Sequence, residues 1–180
     1  KREKPMTYRT RLFLLAATTP AFFASSSRAD SYIWVPTGAG SFNWTDPANW
    51  TGGSLGYPQL TGDSATIQPG PAGAVGIAVA IPVSIGTLTF GNAANPAAID
   101  VGNGNSGGGT LVFNNNGTLS LVSGGVPGAI NTISAPVELD NHLAFNTSTN
   151  GLTFTGPITN FGANNNIFNV SGQLLTLAEP

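Results

Sequence analysis

The segment PVELD contains two carboxylates two residues apart, Glu138 and Asp140. Side chains at positions i and i+2 of an extended strand share one face, with Cα atoms about 6.5–7 Å apart. Inverting glycosidases place an acid and a base at a comparable separation around a water molecule. Enzymes that cleave acidic sugars also need a cation, and the sequence has no Lys or Arg after Arg28. We therefore predict that the chain is not an enzyme, with cleavage of polysaccharide by Glu138 and Asp140 as the alternative.

The glycine-rich loop GNGNSGGG (102–109) matches two catalytic patterns, G-x-G-x-x-G for dinucleotides and G-x-S-x-G for a nucleophilic serine. Both patterns function only where the turn leads into a helix, which binds the phosphates or holds the strained serine. The residues that follow, TLVF, favour a strand instead. The sequence therefore predicts neither a nucleotide site nor a nucleophile in this loop, and no cofactor.

His142 and Asp100 are the other residues with potential chemistry. His142 is the only histidine, and no serine is placed to complete a triad with it and Asp140. We predict that His142 is exposed at a turn. Asp100, Asn103 and Asn105 offer oxygen atoms to calcium, but their spacing is not that of an EF-hand and no glutamate closes the loop. We predict no metal site.

The three tryptophans, Trp34, Trp44 and Trp50, all lie near the start of the chain. Exposed, coplanar rings would form a platform on which sugar rings stack. Buried rings would instead form a lid over one end of the fold, because each tryptophan removes roughly 200 Å² or more from water. Large apolar rings are usually buried, so we predict a lid, with carbohydrate binding by the three rings as the alternative.

Charge is distributed very unevenly along the chain. Only 8% of the residues are charged, about a third of the usual share of roughly 25%. All six basic residues precede position 30: Lys1, Arg2, Lys4, Arg9, Arg11 and Arg28. From Asp30 onward there are seven acids and no Lys or Arg, so the net charge is 0 − 7 = −7 with His142 neutral. Binding to nucleic acid or to an anionic membrane needs cations, so we predict neither.

The first 29 residues have the organisation of a secretory signal peptide. A basic stretch begins at Met6, an apolar stretch follows at 12–23, and Ser27-Arg28-Ala29 forms a small-x-small cleavage site. Residues 1–5 precede the predicted start at Met6. We predict cleavage after Ala29 and export of a chain that begins at Asp30. This chain has no cysteine, so its stability comes from packing and hydrogen bonds.

Short β-prone runs alternate with clusters of Gly, Asn and Pro from residue 64 to the end. GTLTF (86–90) recurs as GTLVF (109–113), GTLSL (117–121) and GLTF (151–154). Alternation within these runs places Leu88 with Phe90, and Leu111 with Phe113, on one face. The pattern predicts an all-β chain, either a β-solenoid or, as the alternative, a β-sandwich.

The scarcity of charge favours the solenoid. Stacked turns bring equivalent side chains to about 4.8 Å, where like charges repel by roughly 1 kcal/mol even in water. Asparagine amides can instead bond along the stack, and 18 asparagines stand against seven charges after residue 29. The first turn of a solenoid needs a cover, which the tryptophans can supply.

The motifs FNWTDPANWTGG (42–53), GDSATI (62–67) and ISAPVEL (133–139), with the GTLTF-type runs, resemble exported bacterial proteins with autotransporter-associated β-strand repeats. This resemblance covers most of residues 32–177. It implies a right-handed parallel β-helix, displayed at or released from the cell surface. It also leads us to expect that the chain is the N-terminal part of a longer protein.

Together these observations predict a Trp-rich, irregular cap at residues 30–72 and solenoid turns at 73–180, continuing beyond the given C-terminus. The predicted function is structural, as a surface-display segment resembling an adhesin or an autotransporter passenger. The predicted location is the cell surface, the outer membrane or the extracellular medium, with surface glycans or host and matrix proteins as partners. The alternative is a carbohydrate-binding or polysaccharide-cleaving β-helix module.

Overall fold

The structure is a computed structural model that describes residues 28–68, 72–90, 98–102, 108–114, 119–123, 131–140, 142–147, 151–160, 168–172 and 175–177. Within these ranges the chain forms strands and one 3-10 turn, Pro47–Asn49, and contains no α-helix. The prediction of an all-β chain is confirmed. No helix in the described part of the chain has the length and hydropathy needed to cross a bilayer. The predicted signal peptide up to residue 27 and positions 103–107 of the glycine-rich loop lie outside the described residues.

The strands are short, mostly three to five residues. In chain order they are β1 (Ser31–Trp34), β2 (Gly38–Asn43), β3 (Trp50–Gly52), β4 (Ser64–Ile67), β5 (Ala72–Ala78), β6 (Val83–Ile85), β7 (Thr87–Phe90), β8 (Ile99–Val101), β9 (Leu111–Phe113), β10 (Leu119–Ser123), β11 (Asn131–Ile133), β12 (Val137–Leu139), β13 (Leu143–Thr147), β14 (Leu152–Phe154), β15 (Ile158–Asn160), β16 (Phe168–Gly172) and β17 (Leu175–Leu177). A strand, β9, follows the glycine-rich loop as predicted.

These strands form three sheets. The first has the order β16-β13-β10-β7-β4-β1-β3, the second β17-β14-β11-β8-β5-β2, and the third β15-β12-β9-β6. The described pairings are parallel except that of β1 with β3. Parallel neighbours cannot be joined by a tight hairpin, and from β4 onward the chain visits the three sheets in turn before returning to the first. The alternative of a sandwich of antiparallel sheets is therefore wrong.

Alternating side chains build the core between the sheets. In β6, β8, β9, β12 and β14 the first and third residues are buried and the middle one is half-buried. Leu88 with Phe90, and Leu111 with Phe113, are fully buried, so the predicted shared faces are confirmed. Removing these apolar side chains from water contributes about 25 cal/mol for each Å² buried, which is the main stabilising term for the fold.

The register of the parallel pairs places outward residues in columns. The column of the third sheet is Ser84, Val112, Glu138 and Thr159. The column of the second sheet is Ser41, Gly76, Asp100, Thr132, Thr153 and Thr176. Each of these two columns contains a single carboxylate, so within them no charged residue stands next to another. This arrangement avoids the repulsion that like charges would experience at about 4.8 Å.

The N-terminal region differs from the predicted irregular cap at 30–72. Strands β1, β2 and β4 already belong to the first and second sheets, and the expected boundary at residue 72 falls at the first residue of β5. Strands β1 and β2 lack the GTLTF-type pattern. Even so, β1 pairs in parallel with β4, and β2 pairs in parallel with β5. The segment 44–63, which contains the 3-10 turn and β3, is the irregular part.

Gly102 gives a testable example of close packing between successive layers. Its φ is +118°, and a Cβ built there would overlap the Ala135 backbone N. We expect Gly102→Ala to lower the free energy of unfolding by about 2–4 kcal/mol, because backbone strain and overpacking add. Gly108→Ala is the control, since its φ of +68° has the strain while no atom of the described residues lies within 4 Å of a Cβ built there. Equal losses in urea unfolding of the two variants would contradict the role of the close approach.

Candidate functional site

The two predicted catalytic carboxylates lie on the outer face of the third sheet. Glu138 and Asp140 are half-buried and alternate with buried residues of β12, so they share a face as predicted. Asn114 Nδ2 donates a hydrogen bond of 2.7 Å to Asp140 Oδ2. Glu138 lies between Val112 and Thr159 of the neighbouring strands. The neighbours of the pair on this face are therefore the amide of Asn114, the hydroxyl of Thr159 and the apolar side chain of Val112. None of these three residues is a cation.

A cleft of about 370 Å³ opens on the second sheet, and its lining contains neither Glu138 nor Asp140. The lining residues are Gly40, Ser41, Ala74, Val75, Gly76, Ala98, Ile99, Asp100 and Thr132. Gly76 has no side chain and stands between Ser41 and Asp100 in the outward column, which creates the depression. The polar groups at this position are the two hydroxyls of Ser41 and Thr132 and the carboxylate of Asp100.

The Asp100 carboxylate has a hydrogen-bond partner in Ser134. The Ser134 hydroxyl donates a hydrogen bond of 2.7 Å to Asp100 Oδ1. The predicted calcium partners Asn103 and Asn105 lie outside the described residues. His142 is exposed just before β13 as predicted. Among the described candidates, Asp100 lies on β8 of the second sheet and Glu138 lies on β12 of the third.

The three tryptophans lie together at the N-terminal end of the core. Trp34 of β1 and Trp50 of β3 are paired across the antiparallel strands, with ring centroids 5.0 Å apart at 84°. Trp44 follows β2, and its ring centroid lies 4.9 Å from that of Trp50. Edge-to-face and tilted contacts of this kind contribute about 0.5–1.5 kcal/mol beyond burial. We call these three residues the Trp cluster.

Hydrogen bonds fix two members of the Trp cluster. Trp44 Nε1 donates to the Pro58 carbonyl at 2.8 Å, and Trp50 Nε1 donates to the Trp44 carbonyl at 2.7 Å. The buried Trp34 Nε1–H has no acceptor among the described residues. Both hydrogen bonds are internal to the irregular segment 44–63 and fix its shape, while burial of the Trp44 and Trp50 rings packs the segment against the core.

Carbohydrate binding by the Trp cluster does not agree with this geometry. The exposed fractions of Trp34, Trp44 and Trp50 are 4%, 0% and 6%, and their planes are steeply inclined to one another. A sugar platform requires open, coplanar ring faces. The proposal of these rings as sugar-binding residues is therefore corrected: burial against the core leaves no face for a pyranose ring, and the geometry favours the lid.

Asp63 is a buried carboxylate that the sequence did not single out as a site. It is 0% exposed. Its Oδ1 accepts the Asp30 N–H at 2.9 Å, and its Oδ2 accepts the N–H groups of Gln59 and Leu60 at 3.0 and 2.9 Å. Its carbonyl also accepts the Gly86 and Thr87 N–H groups. Asp63 therefore links the start of β1, the irregular segment and β7.

Asp30 and Tyr32 complete the polar contacts around Asp63. The Ser54 hydroxyl and N–H both donate to Asp30 Oδ2, at 2.6 and 2.9 Å, and these bonds lower the pKa of the Asp30 carboxyl. Burial raises the pKa of Tyr32, whose hydroxyl accepts the Leu55 N–H. The only signal for this arrangement in the sequence is the Gly62-Asp63 pair in the GDSATI motif, which carried the resemblance.

The described side chains include no group of three or more His, Cys, Asp or Glu residues close enough to hold a metal ion. The candidate sites are thus the cleft beside Asp100, the outward face with Glu138, and the contacts around Asp63.

The chain was compared with family models, with curated proteins and with solved structures. It matches no family model, no curated protein and no solved structure.

Proposed function

We propose that the chain winds as a right-handed parallel β-helix with three strands in each turn. Strand order supports this proposal, because each parallel neighbour is the third strand along the chain. The inward register supports it too, since Val137 pairs with Leu111 on one side and Ile158 on the other. The hand follows from the strong general preference of connections between parallel strands for a right-handed path.

Within that architecture the function we propose is structural. The chain would be an exported surface-display segment, comparable to an adhesin or an autotransporter passenger. The observation that carries the proposal is the outer surface, where the columns of paired strands are mostly small and polar and each contains at most one charge. A long, repetitive polar surface suits broad and weak contacts better than binding in one pocket. The expected partners are surface glycans or host and matrix proteins.

Export is supported by the N-terminal sequence. The basic stretch, the apolar stretch at 12–23 and the small residue Ala29 occur in the order that signal peptides require. The resemblance to proteins with autotransporter-associated repeats supports a bacterial cell surface, an outer-membrane association or release into the medium as the location.

Export is tested with the full chain in a Gram-negative host. We expect the protein outside the cytoplasm with Asp30 as its first residue. Leu14→Arg should retain most of it in the cytoplasm, because a central arginine costs about 2.5–3.5 kcal/mol on the translocon scale. Leu14→Ile is the matched control and should be exported normally. Fractionation and N-terminal sequencing give the result, and equal export of both variants would refute the signal peptide.

The cleft beside Asp100 favours one alternative, a carbohydrate-binding or polysaccharide-cleaving module. A glycan array and a sugar-release assay with the full chain separate the two functions. The structural proposal expects no saturable binding and no release of sugar. Binding that is lost in Asp100→Asn but kept in Glu138→Gln would support a sugar site in the cleft. Sugar release that is lost in Glu138→Gln would support catalysis and overturn the structural proposal.

A further inference from the structure

Asp30 lies near the start of the described residues and makes four hydrogen bonds. Its N–H donates to Asp63 Oδ1 at 2.9 Å, and its carbonyl accepts the Ser64 N–H at 2.8 Å. Its own carboxylate accepts both the N–H and the hydroxyl of Ser54. Arg28 and Ala29, by contrast, are exposed. Among the described residues, hydrogen bonds to the rest of the fold begin at Asp30, the residue that follows the predicted cleavage site.

The carboxylate that receives the Asp30 N–H is buried without a positive partner in the described contacts. All three groups that donate to the Asp63 side chain are neutral backbone amides. From Asp30 onward the sequence contains no Lys or Arg at all. A buried carboxylate gains most from a donor that carries a positive charge, because charge-assisted hydrogen bonds are roughly twice as strong as neutral ones.

We propose that cleavage after Ala29 places a new α-ammonium group on the Asp63 carboxylate, so that removal of the leader itself strengthens the attachment of β1. The proposal rests on the export and cleavage proposed above. Hydrolysis of the Ala29–Asp30 bond by an endopeptidase consumes one water and leaves a carboxylate on Ala29 and a protonated amine on Asp30. In the uncleaved chain the same nitrogen donates as a neutral amide. The cut thus changes a neutral contact into an ion pair.

The surroundings fit this change. Asp30 is half-buried, so one N–H of the ammonium can keep the bond to Asp63 while departure of Ala29 opens the other two to water. The titratable groups that face the new terminus are the carboxylates of Asp63 and Asp30 and the hydroxyl of Tyr32. Arg28, which stands near Asp30 in the uncleaved chain, leaves with the leader. Asp63 is desolvated in both forms, so the cut adds a partner without burying a further carboxylate.

The ion pair has a defined pH signature. An unperturbed α-amino group has a pKa of about 7.7–8.0, and a nearby carboxylate raises that pKa in the folded chain. A raised folded pKa gives stability that is fully present below the unfolded value and is lost as pH rises through the folded value. We therefore expect the cleaved chain to lose thermal stability above pH 8.

The decisive experiment uses the fact that the cleaved chain contains no lysine. An acetylating ester then reacts with one amine, the α-amine of Asp30. We expect acetylation of the folded cleaved chain at pH 8 to be about fourfold slower or more than in urea, since raising the pKa of the α-amine by one unit from about 7.8 lowers its neutral fraction from about 60% to about 14%. Asp63→Asn should abolish this protection.

Thermal unfolding provides a second measurement that does not depend on the folding of Asp63→Asn. The cleaved chain should lose its melting-temperature advantage over its acetylated form between pH 8 and pH 10. Ala29→Leu, which blocks cleavage by removing the small residue, should melt like the acetylated form. Identical pH profiles of the cleaved and acetylated chains, or equal acetylation rates in folded and unfolded protein, would overturn the ion pair while leaving export intact. A terminus other than Asp30 would overturn the cleavage site as well.

Discussion

Asp63→Ala is expected to lower the free energy of unfolding by about 4 kcal/mol or more. The substitution removes the acceptor of three backbone N–H groups, those of Asp30, Gln59 and Leu60. Each buried donor that loses its partner costs about 1–3 kcal/mol. Urea unfolding followed by tryptophan fluorescence measures the effect, because the three tryptophans lie in the region that Asp63 connects.

Asp46→Ala is the matched control for Asp63. Asp46 is exposed and accepts a single N–H, from Ala48 at 2.9 Å, at the start of the 3-10 turn. Loss of such a cap costs about 0.5–2 kcal/mol. Losses of the same size in the two variants would show that burial of the Asp63 carboxylate does not determine the stability of this end of the fold.

Trp44→Ala is expected to cost about 3–5 kcal/mol, the usual range for removing a buried tryptophan. Trp44 is fully buried, and it also donates the hydrogen bond to Pro58 that fixes the shape of the irregular segment. Without this ring we expect the segment 44–63 to separate from the core before the remaining sheets unfold. Limited proteolysis within this segment, compared with urea unfolding of the whole chain, measures that local opening.

A comparison of Trp44→Phe with Trp34→Phe separates volume from hydrogen bonding. Both substitutions remove a similar part of a buried ring. Only Trp44→Phe removes an indole hydrogen bond, because Trp34 Nε1–H has no acceptor among the described residues. We therefore expect Trp44→Phe to cost about 1–3 kcal/mol more than Trp34→Phe. Equal costs would mean that the bond to Pro58 contributes nothing to the lid.

The site was less predictable than the fold. Glu138 and Asp140 were expected on one face because alternation within a strand is local, and they lie on one face. Asp63 could not be identified, because its side-chain partners are backbone amides, which every residue except proline supplies. One of them, from Asp30, is 33 residues away in the sequence. The cleft beside Asp100 could not be identified either, because it depends on Gly76. Only the register of the paired strands places Gly76 next to Asp100.

The sequence by itself determined the all-β character of the chain and the inward faces of its repeats, as at Leu88 with Phe90. These properties depend on side-chain type and on a period of two residues, which are local. Only the tertiary structure decided which strands are neighbours, where the first sheet begins and what surrounds Asp63. Pairing of strands depends on backbone groups that are the same in all non-proline residues and on the path of the connections, so the side-chain pattern alone does not specify which strands are neighbours.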